Sequence, residues 1–160
     1  MISHNFARKR CLVLAKSSSP GSAIKAILST LGYTVDVETD RKMGMSSFLI
    51  HRHSLVLIES DFLPRHPYRL MQMFKMAHRA PGILIFTRDE NDALEYSYLK
   101  DGIFEVIQVP FRAEKLIATV KRIGYYLRLR SRELFFRNLL VHVGLCVPVL
   151  VLLAVLLVRG

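Results

Sequence analysis

Short apolar runs alternate with segments of helical periodicity along the first 125 residues of this 160-residue chain. Runs of this length are typical of strands that are buried on both faces of a sheet. They predict five strands, at 11–15, 33–37, 55–58, 82–87 and 104–109. Between the first two runs, Ile24, Ile27, Leu28 and Leu31 follow the spacing of one helix face, and Gly32 ends that pattern.

The same periodicity predicts four more helices, so that strands and helices alternate. These helices are expected at 41–52, at 69–79, at 91–100 and from Ala113 onward. Five β-α repeats with strands this apolar predict an α/β fold, a doubly wound parallel sheet with helices on both faces. The run at 33–37 is less apolar than the others, which favours a place near the sheet edge. Hydrophobic residues make up 51% of the chain, which excludes intrinsic disorder as its main state.

A twenty-residue apolar segment follows the last predicted helix. Residues 139–158 include fifteen Leu or Val residues and no formally charged side chain, with His142 as the one ionisable exception. A helix of that length spans about 30 Å, the thickness of the hydrocarbon core of a bilayer. Its Leu and Val residues favour membrane insertion by about 5–9 kcal/mol. The segment predicts a transmembrane helix, and a wholly buried core helix is the alternative.

The positive charge of the chain is concentrated just before this segment. Lys and Arg number 23 against 13 Asp and Glu, and residues 112–137 contain eight of the basic residues but two of the acidic ones. Four arginines lie close to the apolar segment: Arg128, Arg130, Arg132 and Arg137. The positive-inside rule keeps the N-terminal part in the cytoplasm, and we expect these arginines to bind anionic lipid head groups.

These patterns divide the chain into four parts. A basic tail at 1–8 precedes the α/β domain at 9–126, a basic juxtamembrane extension of the last helix at 127–138, and the transmembrane helix at 139–158. The prediction is a tail-anchored, single-pass membrane protein. The basic excess would also suit DNA, but a membrane segment stands where a DNA-reading helix-turn-helix would follow the domain, so no nucleic-acid partner is expected.

Three motifs and their order point to a known family. They are Leu-Ser-Thr-Leu-Gly-Tyr-Thr-Val at 28–35, Ser-Leu-Val-Leu-Ile-Glu at 54–59, and Lys-Asp-Gly at 100–102 followed by Val-Pro-Phe at 109–111. Together they resemble the receiver domain of two-component response regulators, the CheY-like family with its flavodoxin-like (βα)5 fold, over roughly 9–126. The resemblance implies a role in bacterial signalling, and it implies a partner-binding face at about 91–126.

The resemblance also implies a set of phosphotransfer residues, and most of them are replaced here. Receivers use an acidic pair after strand one to bind Mg²⁺, an Asp acceptor after strand three, a Thr or Ser after strand four and a Lys after strand five. This chain has Ala15 and Lys16 at the acidic pair, Glu59 or Ser60 at the acceptor, Thr87 at the hydroxyl position and Val109 at the lysine. Mg²⁺ needs oxygen ligands, and phosphoryl transfer needs charge neutralisation. We interpret the domain as a pseudo-receiver without catalytic residues, metal or cofactor.

Glu59 has two interpretations. A permanent charge at the acceptor position would imitate the phosphorylated state, with Lys16 as its internal counter-ion. Alternatively, Glu59 is a strand-end residue that pairs with whichever base is near. We expect a non-enzymatic module, held at the inner membrane with its domain in the cytoplasm, that acts through an unidentified protein partner and takes no small-molecule substrate. The alternative is a working phospho-relay receiver with an atypical acceptor, Asp61 or Glu59.

The remaining chemistry-bearing side chains predict no site. His51, His53 and His66 lack ligand spacing and are expected at the surface. Met71, Met73 and Met76, with Met43 and Met45, are interpreted mainly as core filling, although exposed Met would make an adaptable partner surface. The two cysteines, Cys11 and Cys146, lie in a strand and in the apolar segment, so no disulfide is expected.

Overall fold

The computed structural model describes residues 9–64, 67–76, 81–88, 99–100 and 102–159, apart from the side chains at 18, 131, 134, 135, 138, 139, 141 and 145–159. The chain divides into two compact units, 1–123 and 124–160. The basic tail at 1–8 and His66 lie outside the described residues, as does most of the helix predicted at 91–100.

Five parallel strands and the helices that connect them form the first unit. The strands are β1 (Lys9–Leu14), β2 (Tyr33–Glu38), β3 (Leu55–Glu59), β4 (Gly82–Thr87) and β5 (Glu105–Gln108). The helices are α1 (Ser18–Thr30), α2 (Arg41–His51), α3 (Tyr68–Met76) and α4 (Ala113–Arg159), and a 3₁₀ turn covers Ser60–Phe62. The strand order is β2-β1-β3-β4-β5, which is the flavodoxin-like order. The predicted α/β fold is confirmed, and β2 lies at an edge as expected.

Two glycines allow helices to approach the sheet closely from opposite faces. A Cβ atom on Gly44 of α2 would lie 2.3 Å from Cδ2 of Leu14, and one on Gly21 of α1 would lie 2.6 Å from Cγ1 of Val37. Val37 pairs with Val13, the neighbour of Leu14 along β1. Because successive side chains of a strand point to opposite faces, α1 and α2 cover different sides of the sheet.

The core on the α2 and α3 side is built from apolar side chains of the central strands and the two helices. The rings of Phe48 and Phe74 meet edge to face there, with centroids 4.7 Å apart. The cluster consists of Leu12, Leu14, Phe48, Val56, Ile58, Phe62, Leu70, Met71, Phe74, Ile83, Ile85, Ile103 and Val106. This packing positions β1, β3 and β4 side by side, so their carboxyl ends meet at one edge of the sheet.

Several side chains lie elsewhere than expected. His53 is buried, with 2% of its surface exposed, whereas His51 is exposed as predicted. Burial of His53 is possible because Asp36 of β2 accepts a hydrogen bond from its ring. The core interpretation of the methionines holds for Met71, but three others are exposed: Met43, Met73 and Met76.

The last helix, α4, begins at Ala113 as predicted, and its apolar stripe packs within the first unit. Leu116, Val120 and Ile123 are each almost completely buried. Along α4 the described side chains end at Gly144. Within the part of the chain that is described, no helix combines the length and the hydropathy needed to cross a membrane.

Candidate functional site at the carboxyl ends of the strands

The carboxyl ends of β1, β3, β4 and β5 bring the predicted site residues together. A cleft of about 150 Å³ opens there, lined by Pro20, Glu59, Ser60, Asp61, Phe86, Thr87, Arg88 and Val109. Lys16, the second residue after β1, reaches the same place through Asp61. In open α/β sheets, ligands bind at this edge, where the direction of strand succession reverses. We call this region the strand-end cleft.

Glu59 is a nearly buried carboxylate that is held by its neighbours. Its side chain is 10% exposed, and Oε2 accepts a hydrogen bond of 2.7 Å from the backbone N–H of Lys16. The guanidinium group of Arg88 lies 4.0 Å from Oε1. A carboxylate removed from water needs such partners, since an unpaired buried charge destabilises the folded state by an amount on the order of several kcal/mol. Glu59 is therefore tied to the ends of both neighbouring strands.

The two cations of the cleft are divided between two carboxylates. The Lys16 ammonium lies 3.7 Å from Oδ2 of Asp61, and both side chains are more than half exposed. An exposed pair of this kind contributes at most about 1 kcal/mol to stability. Lys16 was expected as the counter-ion of Glu59, but the cation beside Glu59 is Arg88. The sequence analysis missed Arg88, although its place directly after β4 marks it as a strand-end residue.

Ser60 and Thr87 form a hydroxyl pair at the centre of the cleft. Glu59 pairs with Phe86 in the parallel ladder, so Ser60 and Thr87, one residue further along, come level with each other. The Ser60 hydroxyl donates to Oγ1 of Thr87 at 3.0 Å. Both residues considered for the acceptor position, Glu59 and Ser60, line the cleft. Glu59 accepts a hydrogen bond from the Lys16 N–H, whereas Ser60 donates one to Thr87.

Val109 contributes backbone rather than charge. Its N–H donates a hydrogen bond of 2.7 Å to the carbonyl oxygen of Thr87, and its peptide bond to Pro110 is cis. The side chain that lines the cleft at this position is a branched hydrocarbon. It cannot neutralise a phosphoryl oxygen as an ammonium group does.

The residues of the cleft do not fit the Mg²⁺ ion that receiver domains use. Mg²⁺ demands near-octahedral oxygen coordination and is usually held through carboxylates. The side chains of Ala15 and Lys16 supply no oxygen, and the carboxylates of Glu59 and Asp61 each lie within 4.0 Å of a cationic side chain. Among the described residues, no three His, Cys, Asp or Glu side chains are grouped so that they could bind a metal ion.

A second buried polar group lies away from the cleft, between β2 and the start of β3. Nε2 of His53 lies 2.7 Å from Oδ2 of Asp36, and the His53 ring stacks on Phe48. Burial lowers the pKa of His53 below 6.5, and the carboxylate of Asp36 opposes that change only in part. Burial and the nearby Asp36 charge raise the pKa of the Cys11 thiol, so Cys11 behaves as an inert core residue.

The four arginines predicted to bind lipid lie on α4 in the second unit. Arg128, Arg130, Arg132 and Arg137 are all exposed, so their charged groups are accessible to a ligand. They are on a different unit from the strand-end cleft.

Comparison with known proteins identifies relatives among transcriptional regulators. No protein-family profile matches the chain. Two curated relatives, each named transcriptional regulatory protein DltR, come from serotype III and serotype V strains of Streptococcus agalactiae and are 28% identical over 124 residues. The match covers 78% of this chain and 52% of each relative. The chain thus spans about half the length of the curated relatives it matches.

Comparison with solved structures decides the fold. The receiver domain of a putative LuxO repressor protein from Vibrio parahaemolyticus superposes with a TM-score of 0.69 at 14% identity, covering 78% of this chain and 95% of the other. A CheY-like receiver domain from Methanospirillum hungatei gives 0.64 at 18% identity, covering 78% and 98%. The orphan response regulator HP1043 of Helicobacter pylori gives 0.62 at 20%, covering 72% and 96%. The chain has the fold of a response-regulator receiver domain.

Within this fold, the residues at the carboxyl ends of the strands lie at one edge of the sheet. Lys16 follows β1, Glu59 ends β3, Arg88 follows β4 and Val109 follows β5. Of these residues, Glu59 pairs with Arg88, whereas Lys16 pairs with Asp61 of the 3₁₀ turn and Val109 carries no charge.

Proposed function

We propose that this chain is a receiver-like module of bacterial signal transduction that acts through protein contacts and without phosphorylation. The observation that carries this proposal is the pairing of cations and carboxylates in the strand-end cleft. Lys16 lies 3.7 Å from Asp61, and Arg88 lies 4.0 Å from Glu59. Within the described part of the chain, these two carboxylates thus each have a counter-ion that belongs to the chain.

Internal cations remove the electrostatic reason for binding a metal. In phosphoryl transfer, bound Mg²⁺ and cationic side chains neutralise the charge that develops on the transferred group. Here the positive charges face carboxylates, and the position that would hold a Lys supplies the side chain of Val109. An incoming phosphoryl group would meet Glu59 and Asp61 without a metal between them, and like charges repel.

Glu59 gives the cleft a permanent negative charge at the end of β3. Because the backbone N–H of Lys16 donates to Oε2 of Glu59 and the carboxylate is nearly buried, the charge has a defined position. In this proposal it takes the place of the charge that phosphorylation would add, so the surface recognised by a protein partner is present in every copy of the chain.

Treatment with acetyl phosphate tests this proposal. The full chain is incubated with acetyl phosphate and Mg²⁺ and examined by intact-mass measurement, beside a receiver domain that is known to phosphorylate itself. We expect no phosphoryl adduct on this chain. The cleft has no acidic pair after β1 to bind the metal, and Val109 stands where receivers have a lysine after β5. An adduct that disappears with Glu59→Gln or Asp61→Ala would overturn the proposal.

That contrary result would support the second candidate, a phospho-relay receiver with an atypical acceptor. The observation that favours it is the exposure of Asp61, whose side chain is 58% accessible beside the cleft. Lys16→Ala is the informative variant, because it releases the Asp61 carboxylate from its cation. Phosphorylation that increases in Lys16→Ala and is lost in Asp61→Ala would assign the acceptor.

We also propose that residues 139–158 anchor the chain in the inner membrane with the receiver-fold unit in the cytoplasm. The support comes from the sequence: twenty residues without a formal charge, preceded by Arg128, Arg130, Arg132 and Arg137 and followed by Arg159. The arginines would bind anionic lipid head groups at about 1 kcal/mol each near the membrane surface. Recovery of the intact chain entirely in the soluble fraction would make this part of the proposal wrong.

The name of the curated relatives adds transcription as a further role to test. Those relatives are transcriptional regulatory proteins, and this chain matches about half of each. We carry over the regulatory role and not the transcriptional one, since the match covers only 52% of each relative. Sequence-dependent DNA binding by the full chain, measured over a range of salt concentrations, would favour the transcriptional role instead.

A further inference from the structure

Two neighbouring helices, α2 and α3, expose many large apolar side chains. All side chains of these two helices are described, and twelve of them are exposed. Six of the twelve are large and apolar or aromatic, with exposures between 48% and 78%: Met43, Leu49, Ile50, Tyr68, Met73 and Met76. The exposed described residues of α1 and of 113–123 in α4 include no such side chain. A concentration of this kind indicates an interaction surface, whereas apolar residues scattered singly do not. We call the exposed residues of α2 and α3 the α2–α3 face.

On α2, Leu49 lies on the flank that faces α3. The two helices are neighbours, because the rings of Phe48 and Phe74 meet edge to face between them. The His51 ring lies 6.1 Å from that of His53, which is bonded to the edge strand β2. Residues two apart are about 200° apart around a helix. Leu49 is therefore on the opposite flank from His51, away from β2 and toward α3.

On α3, Met73 lies on the flank that faces α2. A Cβ atom at Gly102, shortly before β5, would lie 2.6 Å from Nζ of Lys75, so Lys75 extends toward the β5 side of the sheet. Met73 precedes Lys75 by two residues and is therefore on the opposite flank, toward α2. Leu49 and Met73, which are 65% and 48% exposed, thus border the furrow between two helices that run in the same direction.

The formal charge of the α2–α3 face is entirely positive. Its charged residues are Arg41, Lys42, Arg69 and Lys75, and neither helix contains an acidic residue. Lys42 is two turns before Leu49 on α2, and Arg69 is one turn before Met73 on α3. The helix dipole disfavours cations in a first turn, yet both helices begin with cations and without an acidic residue. Helix stability does not explain these cations, whereas binding of an acidic partner does.

We propose that the α2–α3 face binds an acidic amphipathic helix of a partner protein. This inference rests on the proposed function, because it gives the partner chemistry of a module that acts through protein contacts. Apolar side chains of the bound helix would pack between Leu49 and Met73, and its carboxylates would face Lys42 and Arg69. Methionine side chains adapt to such a ligand because they are unbranched and flexible. The surface is separate from the partner-binding face that the receiver resemblance implies at about 91–126.

Two other occupants fit the α2–α3 face less well. A second copy that docked through the same face would bring cations against cations, and like charges repel. A lipid surface would attract the cations, but interfacial helices insert mainly Trp, Phe and Leu, whereas three of the six apolar side chains here are Met. The furrow between two parallel helices also suits one helical ligand better than a flat membrane surface.

Peptide binding to the full chain tests this assignment. The chain is placed in phosphatidylcholine nanodiscs, and the anisotropy of a fluorescent amphipathic peptide, with Leu on one face and Glu on the other, is compared with that in empty nanodiscs. Lys42→Glu combined with Arg69→Glu is expected to weaken binding by about tenfold or more, because attraction becomes repulsion at two positions. The matched control combines Lys25→Glu with Lys121→Glu, at exposed lysines of α1 and α4, and should bind as the wild type does.

Exchange of the peptide charges separates loss of the site from loss of the fold. When Lys replaces Glu in the peptide, the chain with Lys42→Glu and Arg69→Glu is expected to bind it more tightly than the wild type does. A misfolded chain would not gain this binding. Leu49→Gln combined with Met73→Gln is expected to weaken binding of the Glu peptide, because the apolar contact is lost while the cations remain.

Three results would overturn the proposal. They are no binding of the Glu peptide at about 0.1 mM, an equal loss of binding in the control pair, and binding of phosphatidylglycerol vesicles that depends on Lys42 and Arg69 while the peptide stays unbound. The last result would assign the α2–α3 face to a lipid surface. Each of them leaves the acetyl phosphate result unchanged, so the failure of this inference is distinguishable from failure of the proposed function.

Discussion

His53 combines complete side-chain burial with an incomplete set of hydrogen bonds. Among the described residues its Nδ1 is the buried side-chain atom without a partner, while Nε2 is bonded to Asp36. Protonation would place a charge on a ring that is stacked against Phe48 and removed from water. This explains why burial outweighs the favourable effect of the Asp36 carboxylate and lowers the pKa of His53.

The lowered pKa predicts a stability that depends on pH. The unfolded chain protonates His53 near its ordinary pKa of 6.5, and the folded chain does so only at lower pH. Between these two pKa values the unfolded state binds more protons, so the free energy of unfolding falls as the pH is lowered through that window. Urea unfolding above and below pH 6.5 should show this decrease, and His53→Phe should make it smaller.

The exposed neighbour His51 provides a matched control. Its ring lies 6.1 Å from that of His53 but is accessible to solvent, so His51→Gln should leave most of the pH dependence in place. If His53→Phe kept the full pH dependence of the wild-type stability, the Asp and Glu carboxylates rather than His53 would be the source of that dependence.

At the scale of elements, the contact between α2 and β1 depends on the absence of a side chain at Gly44. Gly44→Ala would place a methyl group 2.3 Å from Cδ2 of Leu14, which is completely buried, and protein cores are closely packed. Overpacking of this kind costs about 1–3 kcal/mol, and at a contact of 2.3 Å we expect this cost to exceed the gain of about 1 kcal/mol in helix propensity. Urea denaturation should show a net loss of stability.

Gly124 in α4 is the matched control for this substitution. Apart from its own stretch of helix, no atom of the described residues lies within 4 Å of the position that its Cβ would occupy, so Gly124→Ala gains helix propensity without a clash. We expect Gly124→Ala to be neutral or stabilising by up to about 1 kcal/mol. An equal loss of stability from both substitutions would show that the effect is not specific to the approach of α2 to Leu14.

The elements themselves were largely predictable, because alternation of apolar runs and helical periodicity is a local property of the chain. The runs at 55–58 and 82–87 became β3 and β4 with at most one residue of difference, and α4 begins at the predicted Ala113. The first helix begins at Ser18, six residues before Ile24, where its apolar pattern starts, because polar Ser residues adopt the first turn without an apolar signal.

The pairings between elements were less predictable, because they depend on side-chain reach across the fold. Three charged or polar contacts illustrate this: Arg88 with Glu59, Lys16 with Asp61, and His53 with Asp36. The two residues of each pair lie between 17 and 45 positions apart along the chain, and no local sequence pattern distinguishes these pairs from others. The resemblance to receivers located the strand-end cleft, but it did not indicate which cation would face which carboxylate.

At the scale of the whole molecule, charge and hydropathy are distributed unevenly along the chain. The apolar segment at 139–158 and the arginines before it account for much of the apolar and basic excess. If residues 139–158 span the membrane, the full chain should stay with the membrane pellet under alkaline extraction, and a chain that ends at Asn138 should be released. A peripheral protein held only by the arginines would be extracted in both forms, which distinguishes anchoring from surface binding.

Lys16 and Arg88 are covalent parts of the chain, so each copy receives the charge balance of the strand-end cleft when it is synthesised. If the proposed function holds, a phosphatase has no bond to hydrolyse there, and withdrawal of magnesium leaves the ion pairs in place. A module of this kind would stay in one signalling state for as long as the molecule exists. The cell would then control the strength of the signal by the amount of the protein. The rate at which the protein is degraded would set how quickly the response ends.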